Sequence, residues 1–225
     1  MEEKKNYCIK YIIIGDSGVG KTNIVYRFAT GKYGDVLGNT VGAEFSTKFY
    51  EINNNILKIE IWDTTGMHEF ESIRAGFYKN AACAIIVYDI SKKTSLNNVK
   101  RWIEECNKYC NNDKLIKILV GNKSDKTNER KITEEQGKNI KENFSFDFFY
   151  ETSALNGINI NKIFTESCKE IYKLIKTIEN ELPGINKIGK IDKNEVIITL
   201  KVSSEKEEIP SIPKDEDCSS SCILI

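Results

Sequence analysis

The sequence predicts a doubly wound α/β domain: a mostly parallel six-stranded sheet with flanking helices. Short apolar runs of strand length alternate along the chain with helix-competent segments, as in consecutive βα units. Those runs are apolar at nearly every position, the signature of parallel strands covered on both faces. A phosphate-loop pattern, Gly15-Asp16-Ser17-Gly18-Val19-Gly20-Lys21-Thr22, stands between the first run and the first helix.

In chain order, Tyr7 to Ile14 is the first strand and a helix follows near residues 20 to 30. Phe45 to Ile52 and Ile56 to Trp62, joined through Asn53-Asn54-Asn55, read as the arms of a hairpin. A helix near 70 to 80 leads to a strand at Cys83 to Asp89, and a helix near 94 to 110 to one at Leu115 to Gly121. A helix near 133 to 143 precedes the last strand, Phe146 to Thr152. Then Ile160, Ile163, Phe164, Cys168, Ile171, Leu174, Ile175 and Ile178 recur at helical spacing, a stripe made to face the core. Beyond about Glu179 the regular pattern fades, so the sequence divides into a domain over 1–178 and a flexible tail over 179–225. In a sheet of this kind the ligand lies outside the carboxyl ends of the strands, where the phosphate loop already stands.

Composition narrows the classes. A chain of 225 residues fits one core-bearing domain and a tail. Its 33 basic and 33 acidic residues argue against broad electrostatic binding to nucleic acid or anionic lipid. The seven cysteines, at 8, 83, 106, 110, 168, 218 and 222, contain no C-x-x-C pair, and the N-terminal residues lack a secretory apolar core. Reduced, cytosolic thiols are expected. The longest apolar run, about Ala81 to Tyr88, falls well short of the roughly 20 residues that span a bilayer.

The phosphate loop needs these residue types. Gly15, Gly18 and Gly20 permit backbone conformations closed to residues with a Cβ, so successive N–H groups converge on phosphate oxygens beside a helix N-terminus. Asp16, Ser17, Gly18, Val19, Gly20 and Lys21, with Thr22 and Asn23 at the helix start, are the candidate nucleotide contacts. Lys21 supplies a point charge for the β- and γ-phosphates, and the Thr22 hydroxyl is a hard oxygen ligand suited to Mg²⁺.

Trp62-Asp63-Thr64-Thr65-Gly66 leaves a buried strand on the same side. Asp63 can hold Mg²⁺ through water, and Gly66 brings a backbone N–H to a γ-phosphate with no side chain between. Thr40 is a candidate second hydroxyl ligand of the metal. Asn122-Lys123-Ser124-Asp125 and Thr152-Ser153-Ala154-Leu155 leave the last two strands and would read the base. A carboxylate only accepts, so Asp125 can take hydrogen bonds from the N1–H and exocyclic amine of guanine, whereas adenine offers its bare N1 to the same charge. The stem of Lys123 can cover the ring, and the Ala154 N–H can donate to guanine O6.

With these motifs in order, residues 7 to 178 resemble a Ras-superfamily small GTPase, most like the Rab family, whose fold is the phosphate-loop GTPase domain. GDSGVGKT, TVGAEF, WDTTG, NKSD and TSAL correspond to the family's five nucleotide elements. The resemblance implies GTP and GDP as ligands, Mg²⁺ as cofactor, and GTP hydrolysis with Lys21, Thr40, Gly66 and Met67 at the catalytic positions. Tyr33 matches the aromatic that closes over the guanine edge. Phe45, Trp62 and Phe77 fall where Rab proteins carry the aromatic trio that effectors read, although the third is usually Tyr. The implied partners are a guanine nucleotide exchange factor, a GTPase-activating protein, Rab effectors, an escort or extraction protein and a prenyltransferase, with the protein itself a monomer. Residues 34 to 46 and 65 to 79 would be ordered by the γ-phosphate and released on hydrolysis, a timed binding switch of vesicle traffic.

Three positions depart from the family pattern. Met67 replaces the Gln that orients the attacking water, and a thioether cannot position that water. Slow intrinsic hydrolysis is expected, or a module that stays loaded with GTP. His68, the single histidine, reads as an exposed loop residue with nothing to fix its tautomer. Leu37 stands where a Tyr commonly covers the γ-phosphate. A phosphate-loop ATPase or small-molecule kinase is the other class, and Asp125 with the TSAL turn argues against it.

Cys222-Ile223-Leu224-Ile225 is a C-a-a-X ending, which implies prenylation of Cys222 and residence on the cytoplasmic face of intracellular membranes, cycling with cytosol. One lipid is a weak anchor. Residues 201 to 217 carry three lysines against six acidic residues, a balance of −3 that anionic lipid repels. Cys218, by prenylation or palmitoylation, is the nearer second signal. Two readings stand for Val196 to Val202: a segment held in the groove of an escort or extraction protein, as the resemblance implies, or a strand packed on its own domain.

Overall fold

The structure, a computed structural model, describes residues 5–34, 43–67, 71–178, 182–189 and 197–200. The elements run β1 (Asn6–Ile14), α1 (Lys21–Thr30), β2 (Ala43–Ile52), β3 (Asn55–Thr64), α2 (Glu71–Tyr78), β4 (Cys83–Asp89), α3 (Lys93–Asn97) and α4 (Val99–Tyr109). They continue with β5 (Ile116–Asn122), α5 (Glu134–Asn143), β6 (Phe148–Glu151), α6 (Ile160–Thr177), β7 (Ile185–Ile188) and β8 (Ile197–Thr199).

The strand order is β6-β5-β4-β1-β3-β2-β8, with β7 also on β1. Neighbours are parallel except the β2–β3 hairpin and the β1–β7 pair. Asn53 and Asn54, at φ 49° and 64°, make the two-residue turn of that hairpin, the left-handed pair whose twist matches the flanking strands. Because side chains alternate along a strand, β1 feeds two cores. Ile9, Tyr11 and Ile13 face α1 and α6 with Ile24, Phe28, Phe164 and Cys168. Ile12 and Ile14 face the other layer with Tyr78, Trp102 and Cys106. Thr133 opens α5 with a reciprocal cap, its Oγ1 accepting from the Gln136 N–H at 3.2 Å and its own N–H donating to Gln136 Oε1 at 2.9 Å.

The sheet exceeds the six strands expected. β4 pairs with β1 only from Tyr11 onward and leaves the Asn6–Ile9 edge bare. Backbone groups there need partners, and β7 supplies them antiparallel over that stretch, with the Lys10 N–H on the Gly184 carbonyl at 2.9 Å. β8 adds parallel to β2 over Phe49–Glu51, and the Leu200 N–H donates to the Glu51 carbonyl at 2.7 Å. Residues 182–189 and 197–200, which the sequence assigns to a flexible tail, thus extend the sheet. Of the two readings of the Val196–Val202 segment, Ile197–Leu200 follows the second, a strand on its own domain; Val196, Lys201 and Val202 lie outside the described residues. The helix expected over 94 to 110 is two, joined at Asn98.

Candidate nucleotide site

The carboxyl ends of β1, β3, β5 and β6 deliver the motifs to one edge of the sheet. After β1 the chain turns through the phosphate loop into α1, with Gly20 at φ 96°, and a Cβ there would come within 2.4 Å of Asn122 Nδ2. Gly66 is pressed as tightly: a Cβ on it would meet the Ser17 nitrogen at 2.4 Å. Gly66 therefore brings its backbone onto the phosphate loop.

Lys21 is buried and donates to the carbonyls of Gly15 at 2.8 Å and Asp16 at 3.1 Å. Burial pulls its ammonium down to about 8, against the pull of Asp63 and Asp16. Thr22 Oγ1 donates to Asp63 Oδ2 at 2.6 Å. Burial pushes the Asp63 carboxyl up to about 6, opposed by that hydrogen bond and by Lys21. The other oxygen, Asp63 Oδ1, is buried with no hydrogen-bond partner among the described residues. An orphaned hard oxygen beside a threonine hydroxyl fits a magnesium ion, which keeps waters and takes few protein ligands. Thr40, Leu37 and His68 lie outside the described residues, as do Cys218 and Cys222.

On the base side, buried Asn122 ties the two halves together. Its Nδ2 donates to the Val19 carbonyl at 2.9 Å, and its Oδ1 accepts from Thr152 Oγ1 at 3.1 Å. Lys123 holds a left-handed φ of 67° and sends its Nζ to the Gly18 carbonyl at 2.6 Å and to Asp89 Oδ2 at 2.8 Å. Ser153 Oγ donates to Asp125 Oδ1 and accepts from the Asn156 N–H at 3.0 Å, which makes its hydroxyl an orienter of the Asp125 carboxylate. Ala154 is buried behind it and Leu155 is exposed. Tyr33 is exposed, and Asn23 Nδ2 donates to the next carbonyl, Gly34, at 3.1 Å.

The Asp16 carboxylate points away from the phosphate side. Its oxygens accept from Asn98 Nδ2 and Trp102 Nε1, each at 2.8 Å, which moors the loop to α4. Only its backbone is left for the nucleotide contact expected of it.

Sequence reasoning missed three residues. Asp89 receives Lys123 and Ser91; burial raises its carboxyl, and those hydrogen bonds outweigh burial and hold it below the usual carboxylate range. Arg74 on α2 and Glu105 on α4 form a buried ion pair through Nε to Oε1 at 2.9 Å and Nη2 to Oε2 at 3.2 Å. Tyr78 OH donates to the same Glu105 Oε1 at 2.9 Å, and the guanidinium lies 4.8 Å from the Trp102 ring centre. Arg74 Nη1 also donates to the carbonyls of Thr65, at 3.3 Å, and Met67. The segment that carries Gly66 is thereby fastened to the core.

The expected aromatic trio is brought together. Phe45 and Trp62 ring centres lie 5.6 Å apart, Trp62 and Phe77 5.5 Å, with Lys10 Nζ 5.3 Å over Trp62. Phe45 is 62% exposed, a large apolar face offered to solvent. Among the described residues no helix is long and apolar enough to cross a membrane.

Fold and motifs together define a phosphate-loop nucleotide-binding domain. Residues 10–173 match the sequence model of the Ras family. The chain is 37% identical over 174 residues to the Ras-related protein Rab11B of Nicotiana tabacum, covering 77% of this chain and 79% of that one. It is 39% identical over 176 residues to the Ras-related protein Rab-11C of Dictyostelium discoideum, covering 78% of each. The Ras-related protein RGP2 of Oryza sativa subsp. japonica is 36% identical over 175 residues, 78% of this chain and 80% of its own. The chain belongs to the Ras family, as a Rab-type small GTPase.

Proposed function

We propose that this GTPase is a membrane-associated switch of vesicle traffic whose intrinsic hydrolysis is slow because Met67 occupies the water-orienting position. Its regulators would be an exchange factor, an activating protein and an extraction protein, and effectors would read the Phe45, Trp62 and Phe77 face in the GTP state. The observation that carries the slow step is Met67 itself: it follows Gly66 directly, with its carbonyl held by Arg74 and its N–H 3.3 Å from Thr65 Oγ1. The backbone is fixed there, and the side chain offers only a thioether, a weak acceptor with no donor.

In this reading Lys21 and the loop N–H groups hold the β- and γ-phosphates, Thr22 and Asp63 hold Mg²⁺, and Gly66 contacts the γ-phosphate. The metal, when bound, neutralises charge building between the phosphates. What the Met67 side chain does not supply is an amide that both accepts from water and donates to the γ-phosphate.

Single-turnover hydrolysis of the purified GTP-loaded protein tests this. Met67→Gln is expected to raise the rate about 10- to 100-fold, equivalent to roughly 1–3 kcal/mol in the barrier. A parent protein as fast as the variant would sink the proposal. No product over many hours in the parent, with recovery in Met67→Gln, would favour the second reading, a binding module that remains loaded until exchanged.

A further inference from the structure

We propose that Cys106 and Cys110, at the end of α4, form a reversible dithiol–disulfide pair that answers to hydroperoxides. Their sulfurs lie 3.6 Å apart. Four residues of helix rise about 6 Å, within the Cα separation a disulfide accepts. Cys110 caps the helix with its N–H on the Cys106 carbonyl at 2.8 Å, which holds the two residues one helical turn apart.

The two thiols are unequal in the way such chemistry needs. Cys106 is fully buried, whereas Cys110 is half-buried and open to a small reagent. The hydrogen bond from Cys106 holds the Cys110 thiol below its ordinary range; burial opposes that and the Lys10 ammonium assists it. An accessible thiolate beside a second thiol is the arrangement of a redox pair. Cys8, also half-buried, is the built-in control: burial, with help from Glu60, pushes its thiol up to about 11.

The steps balance. The Cys110 thiolate attacks the terminal oxygen of the hydroperoxide, the O–O bond breaks, and protonation of the departing alkoxide or hydroxide gives alcohol or water and a sulfenic acid. The Cys106 sulfur then displaces the sulfenic hydroxyl, which leaves as water with the Cys106 proton, and the S–S bond forms. Two electrons pass from the thiols to the peroxide, and an added thiol returns them.

The pair also touches the end of α2, the helix whose Arg74 holds the Thr65 and Met67 carbonyls. Cys110 Sγ donates to the Tyr78 carbonyl, the last of α2, at 3.4 Å, and Tyr78 OH bonds Glu105 one residue before Cys106. That tether at the end of α2 belongs to the protonated Cys110 thiol; a disulfide has no proton to donate, so the oxidised pair cannot restore it.

The test uses the full chain bound to GDP, treated with hydrogen peroxide, alkylated and cut with trypsin. Cleavage after Arg101, Lys108 and Lys114 separates peptides 102–108 and 109–114, each with one cysteine. The expected result is a linked pair of these peptides that dithiothreitol separates, formed roughly ten-fold faster than Cys8 is lost. In Cys106→Ala, Cys110 is expected to persist as a sulfenic acid that dimedone traps. Two unlinked peptides after Cys8 has been oxidised would overturn the proposal, as would a Cys106→Ala protein that retains GDP yet gives no dimedone adduct at Cys110.

Discussion

Glu105→Ala is expected to lower the unfolding free energy by about 3–5 kcal/mol, the cost of leaving one member of a buried pair without the other. Glu105 is 5% exposed and receives Arg74 twice and Tyr78 once, so its removal strands a guanidinium that is 1% exposed and a buried phenol. Urea unfolding of both proteins at the same saturating GDP concentration measures the loss without a contribution from unequal ligand occupancy. Arg74→Met combined with Glu105→Leu is expected to recover the part of the loss owed to the stranded guanidinium, and to leave the part owed to the Tyr78 phenol and the Thr65 and Met67 carbonyls. A loss below about 1 kcal/mol in the single variant would mean that water reaches the pair.

Asp125→Asn is expected to weaken GDP binding roughly 10²- to 10³-fold, about 3–4 kcal/mol, because two hydrogen bonds to a charged acceptor are lost. Asparagine keeps one acceptor and adds an N–H that faces the guanine amine, donor against donor. Xanthine carries a carbonyl at that ring position, so the variant should prefer xanthosine diphosphate. Ser153 Oγ can still donate to the amide oxygen of the substituted side chain and hold the turn. Competition of GDP, xanthosine diphosphate and ADP for the fluorescently loaded protein gives all three affinities, and unchanged GDP affinity would remove Asp125 from the base-reading role.

Much of this architecture was legible in the chain. The first six strands fall within a few residues of their apolar runs, and the phosphate loop, Asp63 and NKSD emerge together at the strand ends because β1, β3 and β5 are parallel. Patterns of one residue type along one element carry such information. Arg74 and Glu105 are different: they are 31 positions apart, and each reads as an ordinary helix-surface charge until the fold brings them together. Asp16 belongs to the nucleotide signature by position, and nothing in the sequence shows its carboxylate turned toward Trp102. The strand β7 escaped for a third reason, and β8 was legible only as one of two readings of the Val196–Val202 segment. INKI and IIT are too short and too mixed with polar neighbours to show a period, and they form because β1 and β2 leave edges to be completed.

Those two late strands bear on how the protein behaves at high concentration. A chain cut after Ile178 would keep both cores and every nucleotide motif while baring the Asn6–Ile9 and Phe49–Glu51 ladders. Open ladders of this kind recruit strands from other molecules. The strands β7 and β8 would therefore guard against self-association, and a shortened protein would meet its difficulty in the test tube as clumping while its affinity for guanine nucleotides stayed intact.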